Sequence, residues 1–173
     1  MRFRLLSPVA LALALVVPVP ASAQISDQIL GARVADTVQR YPNFTIFDDV
    51  NIEISNRVVT LTGRVMTPKK KEEIGARVSK IDGIRTLVND IQVLPVSQMD
   101  SNLRLRVAQA IYGHPSFWHY ASMANPPIHI VVENGRITLT GYVSSEVERS
   151  LAFALAQVNG SFGVKNELRL DRK

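Results

Sequence analysis

The chain contains one sequence pattern twice, and this repeat constrains its fold more than any other feature. Residues 59–63 read VTLTG, and residues 137–141 read ITLTG. Matching residues also precede each segment: Val34, Ala35, Pro42 and Phe44 in the first copy, and Val107, Ala108, Pro115 and Phe117 in the second. A repeat of this length predicts two copies of one small folding unit rather than a single domain.

Residues before the first copy have the features of a secretory signal peptide. Arg2 and Arg4 are basic, residues 5–17 are almost wholly apolar, and Ala21-Ser22-Ala23 forms a small-residue cleavage site. The apolar run is shorter than the ~20 residues that a membrane-spanning helix needs. We therefore expect a cleaved signal peptide and a protein that is soluble in the periplasm. The predicted divisions are a signal peptide at 1–23, a first module at 24–94, a linker at 95–99 and a second module at 100–173.

Composition excludes several classes of function. The chain has no cysteine, so it has no disulfide, no thiolate nucleophile, no cysteine zinc site and no lipidated N-terminal cysteine. Its formal net charge is +5, and loss of Arg2 and Arg4 with the signal peptide leaves +3. This charge is too small to indicate nucleic-acid binding, but it is compatible with weak attraction to anionic lipid.

Each copy begins with a helix followed by a β-hairpin. Apolar residues recur at four-residue spacing before Pro42 and Pro115, which end the two helices. Two runs of alternating apolar and polar residues follow. They are joined by Asn134-Gly135 in the second copy, and Asn-Gly between such runs strongly predicts a hairpin.

A second helix and a last strand complete each copy. Thr67 and Ser145 are suited to cap the helices, and Gly83 and Gly160 stand where the helices end. The order is helix, strand, strand, helix, strand, twice over. We therefore predict an α+β fold of two tandem αββαβ modules, each a three-stranded sheet with two helices on its apolar face.

The two copies share a glycine at the end of the hairpin, a glycine after the second helix and an asparagine in the last strand. The residues are Leu61-Thr62-Gly63, Val65, Gly83-Ile84, Asn89 and Ile91 in the first copy, and Leu139-Thr140-Gly141, Val143, Gly160, Val164, Asn166 and Leu168 in the second. This ordered set resembles the BON domain, a family found in osmotically inducible periplasmic proteins and in some outer-membrane lipoproteins.

The resemblance implies the αββαβ fold, a location in the cell envelope, binding to phospholipid surfaces or envelope partners, and no enzymatic activity. It assigns no binding residues. The second copy departs from the family pattern at Ser161-Phe162-Gly163, where a valine or isoleucine usually follows Gly160 directly. It also has five extra residues between Phe117 and Ile128.

Two glycine pairs are candidate motif positions. Gly63 and Gly141 could keep the backbone bare for a ligand, or they could form a bulge or a close pass of a helix over the strand. We favour the structural interpretation for them and for Gly83 and Gly160.

Three consecutive lysines are candidate contacts for a membrane or a partner. Lys69, Lys70 and Lys71 begin the second helix of the first copy. Each cation near an anionic surface contributes about 1 kcal/mol to binding. The alternative is a solvated helix face, partly neutralised by the two glutamates that follow.

The extra segment of the second copy contains further contact candidates. Trp118 and Tyr120 each have an apolar body and a polar tip, which suits a membrane interface or a partner pocket. We expect this segment to be a loop. In the alternative interpretation its aromatic residues close the end of the core, a role that we assign mainly to Phe117.

No pattern in the sequence indicates catalysis or a bound cofactor. His114, His119 and His129 have no metal-ligand spacing to a carboxylate, and we place His129 on the polar face of a strand. No nucleophile elbow and no glycine-rich phosphate loop occurs. We therefore predict no catalytic residues, no metal and no cofactor.

These observations favour a non-enzymatic exported binding protein that associates with anionic phospholipid surfaces of the cell envelope. The alternative is a protein-interaction or chaperone-like module for envelope stress. The open edge of a three-stranded sheet would allow a partner strand to dock there.

Overall fold

The computed structural model describes residues 26–171, so the predicted signal peptide lies outside the described residues. The first module contains helices α1 (Asp27–Gln39) and α2 (Pro68–Val78), and strands β1 (Asp49–Ser55), β2 (Val58–Val65), β3 (Thr86–Asn89) and β4 (Gln92–Val93). The second contains helices α3 (Gln98–Tyr112), α4 (Trp118–Ala121) and α5 (Glu146–Ala156), and strands β5 (Ile128–Glu133), β6 (Arg136–Val143), β7 (Gly163–Asn166) and β8 (Arg169–Leu170).

The two sheets have the same topology. Strand β1 is antiparallel to β2, and both β3 and β4 run parallel to β2 on its other side. Strands β5 to β8 repeat this arrangement around β6. The predicted α+β fold of two tandem modules is therefore confirmed, with the third strand of each sheet divided into two short pieces.

An asparagine explains why the third strand is divided. The side-chain amide of Asn89 donates to the carbonyl oxygen of Lys71 at 3.0 Å, and its Oδ1 accepts from the amide of Ile91 at 3.4 Å. Asn166 makes the equivalent bonds in the second module, to Arg149 and Leu168. Each asparagine therefore ties the second helix to the strand and replaces one step of the strand pairing.

Each module has its own apolar core between its helices and its sheet. Leu30, Val34 and Leu61 are fully buried in the first module, and their counterparts Leu103, Val107 and Leu139 are fully buried in the second. Each such side chain contributes about 1.5–3 kcal/mol through burial. The four-residue spacing of the first helices and the alternation of the hairpins therefore identify the core correctly.

An aspartate at the start of the first helix holds the hairpin turn of each module. Asp27 accepts from the amides of Asn56 and Arg57 at 2.8 and 2.9 Å. Asp100 accepts from the amides of Asn134 and Gly135 at 2.9 and 2.7 Å. The turns need such partners because their backbone amides point away from the strand ladder.

The extra segment of the second module is not the loop that we expected. Residues Pro115–Phe117 form a 3₁₀ turn and Trp118–Ala121 form the short helix α4. His114 begins the 3₁₀ turn, because its Nδ1 accepts from the amide of Ser116 at 3.3 Å. Residues 122–127 then connect this helix to β5 without regular structure.

We predict that Asp100→Ala lowers the free energy of unfolding by about 2–3 kcal/mol, because the buried amide of Gly135 and the part-buried amide of Asn134 lose a charged acceptor. Asp27→Ala should cost less, about 1 kcal/mol, because Asp27 is half-buried and water can replace it. Urea denaturation followed by circular dichroism measures both. Equal losses in the two variants would contradict this assignment.

Candidate functional site

The hairpin glycines have a structural reason for lacking a side chain. Gly63 and Gly141 have φ angles of 110° and 101°, which side chains disfavour. A Cβ atom on Gly63 would collide with the carbonyl oxygen of Asp49, and one on Gly141 with that of Pro127. The close approach comes from the neighbouring hairpin strand and not from a helix. These glycines therefore shape the hairpin itself.

Only part of the lysine cluster is available to a partner. The Nζ atom of Lys70 lies 2.6 Å from Oδ2 of Asp48, whose side chain is fully buried. Lys69 is exposed and lies 3.7 Å from Glu73, and Lys71 is half-buried. Lys70 is therefore excluded as a surface contact, because its charge neutralises a carboxylate inside the molecule.

The aromatic residues of the extra segment have different positions. Phe117 is fully buried, as expected for a core residue. Tyr120 is only 5% exposed, and its hydroxyl donates to Oε2 of Glu148 at 2.8 Å. Trp118 is 61% exposed. Tyr120 is therefore corrected to a core residue, and Trp118 alone remains on the surface.

The two modules pack against each other. The amide of Ile130 donates to the carbonyl oxygen of Ile46 at 2.7 Å, so the connection between α1 and β1 lies along strand β5. Thr140 donates to Oδ1 of Asp49 at 2.9 Å. Arg64 forms an ion pair with Glu133 at 2.9 Å. The polar face of the second sheet is thus partly covered by the first module.

His129 lies in this contact and not on a free polar face. Its ring is 5.5 Å from the ring of Phe44, centroid to centroid, and its Nδ1 is buried without a hydrogen-bond partner among residues 26–171. Burial lowers the pKa of His129, and the carboxylate of Asp49 opposes that shift. His129 lies on the polar face of β5, where we placed it, but the first module partly covers that face.

Each of the three outward-facing residues of strand β5 has one backbone group bonded. The hydroxyl of Tyr112 donates to the carbonyl oxygen of Ile128 at 2.5 Å. Nη2 of Arg104 donates to the carbonyl oxygen of Val132 at 2.5 Å. Ile130, between them, bonds to the first module as described above. Another strand could pair with this sheet edge only by displacing these three bonds.

The equivalent edge of the first module is open. The residues that correspond to Arg104 and Tyr112 are Gly31 and Gln39, which form no bond to strand β1. Within the described chain, Val50, Ile52 and Ile54 make no hydrogen bond outside the hairpin. A groove of about 670 Å³ runs along this edge. Its walls are α1, the outer face of β1, and residues 124–127 and 140–142 of the second module.

A small apolar patch lies at the hairpin turn of the second module. Phe162 is 68% exposed and Met99 is 44% exposed. A Cβ atom on Gly135 would lie 2.7 Å from Cδ2 of Phe162 and 3.1 Å from Cε of Met99, so the two side chains meet over this glycine. Arg136 pairs with Gly163 beside them. We call Met99, Arg106, Arg136 and Phe162 the turn patch.

Arg106 reaches the turn patch from the helix. Arg106 is one heptad beyond Met99, so the two share a face of α3. Its Nη1 donates to the carbonyl oxygen of Asn159 at 2.8 Å. In the first module, the position of Phe162 is taken by Arg85, which bonds to the carbonyl oxygen of Asn56 instead. The apolar patch is therefore specific to the second module.

Comparison with known proteins identifies the family. A sequence model of the BON domain matches residues 26–95 and again residues 100–172. The chain belongs to the BON domain family. A comparison with curated proteins finds no similar sequence.

Two solved structures resemble these BON modules only loosely. One is the C-terminal domain of CdsD, a structural protein of the type III secretion system of Chlamydia trachomatis, at 16% identity and a TM-score of 0.35. That match covers 86% of this chain and 68% of the other. A second CdsD structure matches at 15% identity and a TM-score of 0.28, covering 82% and 91%.

The BON assignment and the geometry of the described residues both favour a binding surface as the functional site. The BON domain family is not a family of enzymes. Between residues 26 and 171, no group of three or more histidine or acidic side chains is arranged to hold a metal ion. In the same residues, no helix has the length and apolarity needed to cross a membrane. Two surfaces are candidates for binding, the turn patch and the groove along β1.

We predict that His129 makes the packing of the two BON modules sensitive to acid. Its folded pKa lies below its unfolded value of about 6.5, so the unfolded state binds more protons as the pH falls below that value, and stability falls with it. His129→Gln should flatten the change in unfolding free energy between pH 7.5 and pH 5. His119→Gln is the control, because His119 is exposed. Equal slopes in the wild type and His129→Gln would contradict the prediction.

Proposed function

We propose that the protein is a non-enzymatic binding protein of the cell envelope that associates with anionic phospholipid surfaces through the turn patch of its second BON module. The observation that carries the proposal is the exposed pair Phe162 and Met99, with Arg106 and Arg136 at its sides. An aromatic ring and a thioether can enter the lipid interface, while guanidinium groups bind phosphate bidentately.

The balance of charge around the turn patch supports this proposal. Asp100 is 1% exposed and directs both oxygens at the hairpin turn. Glu133, which pairs with Arg136 across the hairpin, forms its ion pair with Arg64. The two exposed arginines therefore have no ion pair with either carboxylate. Each cation near an anionic surface contributes about 1 kcal/mol, which implies weak and salt-sensitive binding.

The other candidate contacts are less suited to a lipid surface. Lys69 lies beside the carboxylate of Glu73, which partly neutralises its charge. Helix α2, which contains Lys71, has no aromatic residue that could enter the lipid interface. Trp118 is exposed, but its Nε1 donates to the carbonyl oxygen of Gly113 at 3.3 Å, at the opposite end of α3 from Met99. We therefore rank the turn patch above these residues.

Export to the periplasm is part of the same proposal. Arg2, Arg4, the apolar run and Ala21-Ser22-Ala23 support a signal peptide, and BON proteins are often periplasmic. After cleavage at residue 23, the protein would reach envelope lipid from the aqueous side.

The alternative function is a protein-interaction or chaperone-like module. One observation favours it, the open edge of strand β1 beside the groove. A binding protein can use both surfaces, because the turn patch and the groove share no residue.

We predict that Phe162→Ser weakens binding to vesicles that contain phosphatidylglycerol by about tenfold, because burial of most of a phenylalanine is lost. Arg106→Gln and Arg136→Gln should each weaken binding by about fivefold, and high salt should reduce these differences. Vesicle sedimentation measures the bound fraction, and neutral phosphatidylcholine vesicles should bind little.

Trp118→Ala is the matched control, because it also removes an exposed aromatic side chain. It should retain wild-type binding. Loss of binding in Trp118→Ala but not in Phe162→Ser would place the lipid contact near the C-terminal end of α3. That result would contradict the turn patch as the lipid contact. Equal, negligible binding of the wild type to both kinds of vesicle would refute the lipid proposal.

A further inference from the structure

We propose that the groove along β1 binds an extended segment of a partner protein with alternating apolar and basic side chains, which joins the sheet of the first module as an additional strand. This inference is independent of the lipid proposal, because none of the turn-patch residues lines the groove.

The equivalent hairpin edges of the two sheets differ in how their outward backbone groups are bonded. Tyr112, Ile46 and Arg104 each bond to one outward backbone group of strand β5. Strand β1 has the same length of outward groups, from Val50 to Ile54, and they bond to nothing else in the described residues. Unpaired edge groups recruit an incoming strand through main-chain hydrogen bonds.

The opposite edge of the same sheet is a poor alternative. It consists of β3, with four residues, and β4, with two. The turn at Asn89 interrupts them. Such short, broken edges discourage pairing. Strand β1 is continuous over seven residues and offers about 14 Å of outward groups between Val50 and Ile54.

Side chains on the two faces of β1 define the occupant. Val50 and Ile52 face the helices, and Ala35, Val38 and Phe44 line the groove on that side. Residues of an incoming strand that lie opposite Val50 and Ile52 would point to the same face. That face therefore favours small or branched apolar side chains.

The other face of β1 is acidic. Asp49 and Glu53 line it, with one guanidinium from Arg169, and the further carboxylate of Glu167 is paired with Lys165 at 2.5 Å. Glu53 is exposed and has no ion pair in residues 26–171. Since the whole chain carries a net charge of +5, this is a local reversal of sign. Opposite charges on neighbouring strands stabilise pairing, so this face favours lysine or arginine.

The charges on β1 oppose pairing of two copies of this chain. Strand β1 contains Asp49 and Glu53 and no basic residue. Antiparallel pairing of two β1 strands around Asn51 would place Asp49 opposite Glu53 of the other copy, and like charges directly opposite destabilise a sheet. In addition, Pro126 and Pro127 of the second module line the groove, so a second folded sheet would have to avoid them to reach β1.

The direct test uses a labelled heptapeptide of alternating valine and lysine, with fluorescence anisotropy as the readout. The peptide should bind saturably, and a valine–glutamate peptide should bind at least about tenfold more weakly. A valine–lysine peptide with every amide N-methylated keeps its charges but loses its donors. If it binds as well as the parent, strand addition is refuted.

The sharpest variant transfers the occupied edge from one module to the other. Gly31→Arg with Gln39→Tyr places in α1 the two residues that bond to β5 from α3. A Cβ atom on Gly31 has only Ile54 Cδ1 within 4 Å, at 3.8 Å, so the helix accepts the change. These side chains should occupy the carbonyl groups of Ile54 and Val50 and weaken peptide binding by about tenfold. Unchanged binding in a folded double variant would overturn the proposal.

A charge variant tests the acidic face separately. Glu53→Lys should weaken binding by about threefold. Glu72→Lys is the matched control, since it makes the same change in net charge on the exposed part of α2, outside the groove. Equal weakening in both would mean that the peptide responds to overall charge and not to this groove.

Two further measurements distinguish strand addition at β1 from lipid binding and from self-association. The double variant should keep wild-type vesicle binding, and Phe162→Ser should keep wild-type peptide binding, so either proposal can fail alone. In size-exclusion chromatography, the wild type and the double variant should elute at the same volume, because β1 does not mediate dimerisation. A β1-dependent dimer would refute the proposal, because a second copy would then be the occupant.

Discussion

The hydrogen bond between the carbonyl oxygen of Ile46 and the amide of Ile130 determines how the two modules work together. It places the connection between α1 and β1 against strand β5, so the edge of the second sheet is closed by the first module. The same contact buries His129 and brings Asp49 to Thr140. It also forms the second wall of the groove beside β1, which a single module would not possess.

Differences at single positions give two modules of one fold distinct surfaces. Arg104 and Tyr112 stand where the first module has Gly31 and Gln39, and they decide which hairpin edge is closed. Phe162 stands where the first module has Arg85, and it decides which hairpin turn is apolar. The hydrophobic cores, in contrast, correspond residue by residue, because both must fill the same space between two helices and a sheet.

Sequence reasoning was strong where a periodic pattern determines the structure and weak where distant residues meet. Four-residue spacing and strict alternation identified the helices, the hairpins and their buried faces. The sequence does not predict the burial of Lys70, Tyr120 and His129. That burial depends on Asp48, on Glu148 and on the neighbouring module, respectively. The departure at Ser161-Phe162-Gly163 was a visible signal for the turn patch, but only the structure shows that Met99 and Phe162 meet.

The closed edge of strand β5 limits how many partner strands the hairpins can accept. Duplicating a module with an open hairpin edge would by itself give a chain with two equivalent adhesive strands, and a bivalent chain of that kind can grow into open-ended assemblies. Because Arg104, Tyr112 and the first module cap one of the two hairpin edges, one hairpin edge, that of β1, stays open in residues 26–171. Through its hairpins the duplicated chain can therefore terminate a chain of sheets but cannot propagate one.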